Sequence, residues 1–533
     1  AAYSFNYSAF EAYLHKASTD WKPAGIAVAI VEDGKITYQK TFGWKSSLAQ
    51  EPLTEETIFP IASLSKAFSA LLMLKMEEEG KLNIDDPVLK YLPNFKLASE
   101  EATKGMTIAK LFQHRSGLRG FAYDTLVETG WSEQEIFAVL DQVYPTHPFD
   151  EQFDYQNIFP GLFGWIAEKI TGDSLNTLFR KEIFEPLGMN SASLGEFGVT
   201  PSDGWFKRLW AQVKSMISNQ STQHYINDKG YAEVIKNGNP AIYRFPTSRG
   251  VNANIKDMAK WLQFWINEGV TPDGKRPVSP ERLSKMLQKL SHVGAPQGGR
   301  LFPKDRVTDI HYGMGWYIHN YAALDKVMSH MGGMTGTRSI ITYVPGKNIG
   351  MVFLSNLGGM RVNLMPEAIR SKFLDLVAEI DDNRDWSAEL KADLYGSLEK
   401  IKEARSTYRL KNPLAARPLP DYVGIYENKL YGQLEVALEN AKLVLKYRDL
   451  KVTLTHWNGD NFSFKANEFS RSYSLTDYAD ITFGGDPKQS DLCVVSLLHE
   501  GTNPLFKRKK QRVKSILSRS PITNAAGIYM DKL

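Results

Sequence analysis

The chain has 533 residues, of which 43% are hydrophobic and 23% charged, and its formal net charge is +4. At about 150 residues per domain the length predicts roughly two to four domains. The balance excludes a mostly disordered chain, a collagen and a coiled-coil rod, and it is too weakly basic to point to nucleic acid. A single cysteine, Cys493, excludes an internal disulfide and a multi-cysteine zinc site. No run of about 18 apolar residues predicts a transmembrane helix. The start without Met fits a processed secretory product or a trimmed chain, and a periplasmic or secreted (bacterial) location is the expectation.

A helix is predicted around Phe10 to Ala17. It is followed by a strand at Ile26 to Val31, a turn at Glu32 to Lys35 and a second strand from Ile36. From Ser63 to Glu79 the apolar residues Ala67, Ala70, Leu71 and Leu74 recur near a 3.6 period, and Gly80 stands where a helix stops. Further helices are predicted at Phe163 to Ile170, Leu175 to Ile183 and Ile255 to Asn267. Residues 200 to 245 break the periodicity and read as a long insertion. Two late strands, Ser339 to Val344 and Gly350 to Leu354, flank a Pro-Gly turn. A charged helix from Trp386 to Arg409 precedes a Pro-rich linker, and short strand-like runs then recur at near-regular spacing.

These elements predict an α+β fold: an antiparallel sheet flanked by helices plus an all-helical lobe, followed by a separate all-β barrel. The expected division is 1–385 for the first domain, with the 200–245 insertion. The helical and Pro-rich linker is 386–418. The β-barrel, 419–533, ends in a basic tail that carries seven Lys and Arg residues between Lys507 and Arg519.

Three segments can carry chemistry. Ser63 and Lys66 are three apart at a helix start, so they share a face, and the helix N-terminus favours a serine oxygen moving toward an alkoxide. Serine is a weak nucleophile and needs a base, and lysine serves as one only when burial or nearby positive charge lowers its pKa. Taken alone, the pair also reads as a capping serine beside a solvated lysine. Ser397 and Lys400 repeat the spacing on what reads as an exposed charged face. The second segment is Tyr155-Gln156-Asn157, a phenol that cations can activate and an amide that can orient a partner. The third is His330-Met331-Gly332-Gly333 before the late strands, where glycines at a strand edge let another backbone come close.

In this order and at these separations the three segments resemble the penicillin-recognising serine hydrolases: class C β-lactamases, DD-carboxypeptidases, D-aminopeptidases and related esterases. Phe42-Gly43-Trp44, Thr107 to Leu118 and Tyr312 to Trp316 resemble flanking stretches of that family, and the likeness covers about residues 8 to 380. It implies Ser63 as the acylated nucleophile, with Lys66 and Tyr155 sharing the proton traffic and the choice of base left open. It implies Asn157 on the substrate carbonyl side, and an oxyanion hole of the Ser63 and Gly333 backbone N–H groups. His330 stands where many relatives have Lys, which weakens any claim on a carboxylate-bearing substrate. His114 is implied to be structural, under a turn. The β region resembles a lipocalin-like barrel appended to some D-aminopeptidase-like members.

The expected function is a serine hydrolase cleaving an amide or ester through an acyl-enzyme, as a peptidase, esterase or β-lactamase-like activity on a small-molecule or peptide substrate. The alternative is a non-hydrolytic penicillin- or peptide-binding sensor. No cofactor is expected: the histidines show no metal-ligand spacing and no nucleotide-binding glycine loop is present. The aromatic residues of 205 to 243 can line a substrate entrance, form a homo-oligomer contact or pack on their own domain.

Overall fold

The computed structural model describes residues 4–195, 219–226, 231–235, 243–294, 301–358, 363–409, 411–465, 478–485, 492–496, 498, 500 and 505–509. Most of the expected 200–245 insertion, and the basic tail beyond residue 509, lie outside the described residues.

Helix α1, Tyr7–Trp21, is longer at both ends than its periodicity predicts. Asn6 caps it by accepting from the Ala9 N–H at 3.0 Å, and Lys22 ends it in the left-handed region. Its buried face is Phe10, Leu14, Ala17 and Trp21, the three- and four-residue spacing of one helical stripe. Strands β1, Gly25–Glu32, and β2, Lys35–Ser46, form the expected hairpin. Asp33 and Gly34 both have positive φ, as a tight two-residue turn requires.

Seven more strands complete a nine-stranded sheet: β3 Glu51–Pro52, β4 Ser291–His292, β5 Val307–Tyr312, β6 Tyr317–Tyr321, β7 Leu324–Met334, β8 Thr337–Val344 and β9 Ile349–Ser355. Their order is β3-β2-β1-β9-β8-β7-β6-β5-β4, and every pairing is antiparallel. The N-terminal hairpin therefore lies beside the last strand, with Val28 opposite Phe353.

Side chains alternate across a sheet, and β1 shows the consequence. Ile26, Val28 and Ile30 join one apolar core, and Ala27, Ala29 and Val31 join another. Helices α1 and α5, Met365–Val377, cover the first face. The second face is covered by α4, Ile255–Ile266. Beyond it lie α2, Ser65–Glu78, and the helical lobe, which contains α3, Ile158–Thr171, and several shorter helices. Helix α2 is buried without interruption from Ser65 to Leu74, so it is a central helix with almost no solvent face. Phe68 of α2 stacks on Trp261 of α4, with ring centroids 3.9 Å apart. The helix expected over Leu175 to Ile183 is α-helical only to Phe179 and then widens into a π turn at Arg180–Phe184.

Helix α6, Trp386–Tyr408, buries Trp386 and Leu394, and Trp386 Nε1 donates to Asp375 at 2.6 Å. Its far end reaches the second unit, where Arg405 donates to Asp480 at 2.9 Å.

That unit is a separate, nearly closed β-barrel. Its strands are β10 Gly424–Asn428, β11 Gly432–Glu439, β12 Lys442–Tyr447, β13 Leu450–Thr453, β14 Thr455–Asn458, β15 Asn461–Lys465, β16 Tyr478–Gly484, β17 Leu492–Val495 and β18 Leu505–Arg508. They run β13-β12-β11-β10-β18-β17-β16-β15-β14. The two terminal strands are consecutive in the chain, joined at Leu454, which brings the ends of the sheet together. Tyr426, Leu434, Leu445, Phe462, Ile481 and Phe506 are buried in its core.

The fold is thus α+β with an antiparallel sheet, flanking helices and a helical lobe, followed by a barrel. Truncating Trp261 empties the stack between α2 and α4. Trp261→Ala should cost about 3–5 kcal/mol, measured by urea unfolding followed by far-UV circular dichroism. An unchanged midpoint would show that this layer contributes no packing energy.

Candidate active site

Ser63 lies on a short 3₁₀ turn, Ala62–Leu64, between a strand at Phe59–Pro60 and α2. Ala62 has φ +51°, a left-handed conformation that costs a residue with a Cβ about 1–2 kcal/mol. Surrounding hydrogen bonds hold the turn in place. The Ile61 N–H donates to the Val251 carbonyl at 3.0 Å. Ser65 Oγ donates to the Ala62 carbonyl at 2.6 Å and accepts from the Val251 N–H at 2.9 Å. Ser339 Oγ donates to the Ile61 carbonyl at 2.8 Å. Ile61, Ala62, Leu64 and Ser65 are buried, whereas the Ser63 side chain stands at a half-exposed position.

Lys66, one turn on, is fully buried. Its Nζ is 3.2 Å from Ser63 Oγ, 2.8 Å from Asn157 Oδ1 and 3.1 Å from the Ser248 carbonyl. Burial drives its pKa well below the ordinary lysine range. The Arg249 charge pushes in the same direction, and Asp124 opposes both. Asn157 sits at the N-cap of α3, where its side chain caps nothing and is free to face the lysine. Its Nδ2 donates to Asp124 Oδ2 at 2.7 Å, which orients the amide so that the oxygen meets Lys66. Asp124 lies 3.5 Å from an Arg249 guanidinium nitrogen. Burial raises its carboxyl pKa, while Arg249 and the Asn157 amide pull it down.

Tyr155 is buried beside the lysine, with Nζ 4.7 Å from its ring centroid. The His114 ring lies against Tyr155, centroids 4.4 Å apart, and His114 Nδ1 accepts from the Gln156 N–H at 3.0 Å. Burial holds His114 well below the usual imidazole range, and its neighbours Lys66 and His330 oppose a further proton on it. His114 is therefore a neutral support under the Tyr155–Asn157 segment.

The third segment is in β7. This strand pairs with β8 from Met328 to Met334, but with β6 only as far as Ser329. The edge past Ser329 is left unpaired by β6, and the serine turn packs there. A Cβ at Gly332 would collide with Ser339 Oγ and the Ile61 carbonyl, and would press on Leu64. Gly333 follows at a half-buried position opposite Arg338. Arg338 is buried, donates to the Gly332 carbonyl at 2.7 Å and pairs with buried Glu367.

His330 is placed differently from a substrate-facing residue. It is fully buried, Nδ1 donates to the Met331 carbonyl at 2.8 Å, and Nε2 accepts from the Tyr312 hydroxyl at 3.0 Å. Burial lowers its pKa to about 3, helped by the Lys66 charge, so the ring is neutral and both nitrogens are engaged.

Ser63, Lys66, Tyr155 and Asn157 are thus brought together, with Gly332 against the serine turn. The sequence offered no signal for Asp124, Ser248 or Arg249, which lie on two helices too short to show periodicity, Asp124–Glu128 and Pro246–Arg249. Among the described residues no group of three or more His, Cys, Asp or Glu side chains is placed to hold a metal ion.

Residues 10–372 match the family described as Beta-lactamase, which is more than half of the chain, and the protein belongs to that family. Residues 409–490 match a domain of unknown function, DUF3471. The chain is 23% identical over 355 residues to Protein flp of Staphylococcus aureus (strain COL), covering 66% of this chain and 63% of that protein. It is 25% identical over 457 residues to the Unguisins hydrolase ungD of Aspergillus violaceofuscus, covering 81% of this chain and 76% of the relative. Among solved structures, the octameric penicillin-binding protein homologue from Pyrococcus abyssi superposes with a TM-score of 0.58 at 22% identity, over 94% of this chain and 99% of that one.

The close approach at Gly332 sets the distance between β7 and the serine turn. Gly332→Ala should lower the reactivity of Ser63 toward a fluorophosphonate by about 10²–10³-fold, the size of a lost oxyanion donor. Labelling kinetics followed by intact mass measure this, and a wild-type rate would mean the spacing has no bearing on the site.

Proposed function

We propose that the protein is a serine hydrolase that cleaves an amide or ester bond through an acyl-enzyme on Ser63, with Lys66 as the base. The observation that carries the proposal is the set of partners around the lysine amine. A neutral amine has two N–H bonds and one lone pair. Asn157 Oδ1 and the Ser248 carbonyl can only accept, so they take the two N–H bonds. The lone pair is then left for the Ser63 hydroxyl, and the lowered pKa keeps that neutral form accessible.

In the first step Ser63 Oγ attacks the carbonyl carbon while its proton passes to Lys66 Nζ. The carbonyl π pair moves onto oxygen, and the backbone N–H groups of Ser63 and Gly333 are the donors for that oxyanion. When the tetrahedral centre collapses, the bond to the leaving amine or alcohol breaks, and the leaving group takes the proton from Lys66. A water molecule then attacks the acyl carbon by the same route and restores Ser63. The Tyr155 ring beside the amine contributes shape and an electron-rich face that steadies the ammonium formed in transit. The hydrolase name of the Aspergillus relative supports turnover over mere binding. Whether the carbonyl belongs to a peptide, an ester or a β-lactam is a matter of the surrounding pocket, and a panel of D-amino acid amides, short-chain esters and a chromogenic cephalosporin would assign it.

Ser63→Ala should abolish both turnover on that panel and fluorophosphonate labelling, and retained turnover would remove Ser63 from the mechanism. Lys66 also makes a signed prediction. Because its pKa lies below the ordinary lysine range, protonation switches the base off as pH falls through that lowered value. The labelling rate should therefore rise with pH through a limb well below about 10.4 and be flat above it. A limb at the ordinary lysine value, or a Lys66→Arg variant that still labels, would exclude Lys66 as the base.

A further inference from the structure

We propose that the C-terminal barrel completes this site, and that Glu500, carried between barrel strands β17 and β18, is a positioning residue for the Ser63–Lys66 pair. The inference rests on the acyl-enzyme mechanism proposed above. Glu500 is completely buried, not in the barrel's own interior but against the first unit. Its Oε2 accepts from the Tyr123 backbone N–H at 2.6 Å and from Arg119 Nη2 at 2.9 Å. Its own backbone N–H donates to the Tyr431 hydroxyl of the barrel at 2.8 Å, so the residue is tied to both units.

The loop it grips borders the catalytic segments. The Phe121 N–H donates to the Tyr155 carbonyl at 2.7 Å, and Gln156 Nε2 donates to the carbonyls of Arg119 and Leu118 at 2.6 and 3.3 Å. Asp124, directly after Tyr123, orients Asn157, and Asn157 holds Lys66. Phe121 and Tyr123 both have positive φ, at 59° and 68°, so the loop does not choose this path by local preference. Contacts from outside the loop must impose it, and Glu500 makes two of them.

A second contact fixes the barrel in the same place. In the turn between β12 and β13, the Asp449 N–H donates to the Thr129 carbonyl at 3.1 Å, and Arg448 pairs with Glu135 at 2.6 Å. Trp131 Nε1 donates to the Tyr447 hydroxyl at 2.9 Å. Gly130 has φ +105°, and a Cβ there would run into the Asp449 carboxylate, so this surface is shaped to receive the barrel. The two contacts bracket the segment that carries Asp124.

The test measures fluorophosphonate labelling of the full chain across probe concentrations, with thermal melting in parallel. Glu500→Ala should lower the maximal labelling rate about 10- to 100-fold, with the half-saturating probe concentration within about twofold of wild type. Glu500→Gln keeps an acceptor for the Tyr123 N–H and should recover to within about threefold of wild type. Arg119→Ala, which empties no fully buried site, should slow labelling in the same direction by a smaller amount, and it serves if Glu500→Ala does not fold. Ser63→Ala is run alongside: labelling that survives it removes the underlying mechanism. Loss in Ser63→Ala with wild-type rates in the Glu500 and Arg119 variants overturns the positioning role alone. Equal slowing in Glu500→Ala and Glu500→Gln, matched by equal loss of melting temperature, also overturns it, because Glu500 would then act only in folding.

Discussion

The burial of one amine organises the first unit. A lysine removed from water is tolerated only when its N–H groups find acceptors and its charge can be given up. Here the acceptors come from two distant segments, Asn157 at the start of α3 and the Ser248 carbonyl before α4, and Ser63 stands one helical turn away. Asp124 orients the amide, and Arg249 pairs with Asp124 while raising the local potential. The same desolvation that costs stability lowers the pKa of the amine. The site is thus a local conflict that the rest of the fold holds in place.

The sheet supplies that hold. Its two faces support two cores, and α2 runs between the sheet and the lobe with nearly every side chain enclosed. A helix enclosed on all sides cannot slide or rotate to relieve the lysine or the left-handed Ala62. The end of β7, unpaired by β6 beyond Ser329, provides the other wall, and Gly332 allows contact that any side chain would prevent. Arg338 and Glu367, buried behind this wall, fix the Gly332 carbonyl from the far side. His330 belongs to that support and not to the open face of the site.

Membership in the Beta-lactamase family covers the first unit, and the barrel matches a domain with no assigned function. The contacts between them are specific and polar: a buried carboxylate, a Trp–Tyr hydrogen bond and a glycine shaped to a carboxylate. Such contacts define one relative placement far better than apolar contact does, because misplacement leaves buried polar groups unpaired. That is the physical reason to regard the barrel as part of the working unit.

The local part of this structure was legible in the amino-acid order. A short β-branched run marked β1, a three-to-four-residue periodicity marked α2, regular short strands marked the barrel, and the spacing of Ser63 and Lys66 placed them on one face. Periodicity reports the geometry of a single element and nothing of what packs on it. It therefore could not show that His330 turns inward, that α1 extends to an Asn6 cap, that Asp124 and Ser248 meet Asn157 and Lys66, or that Glu500 meets Tyr123. Those facts depend on contacts between residues as far apart as Tyr123 and Glu500. Only the folded chain decides them, because the free energy that selects such contacts comes from burying many distant groups at once, not from any one stretch of sequence.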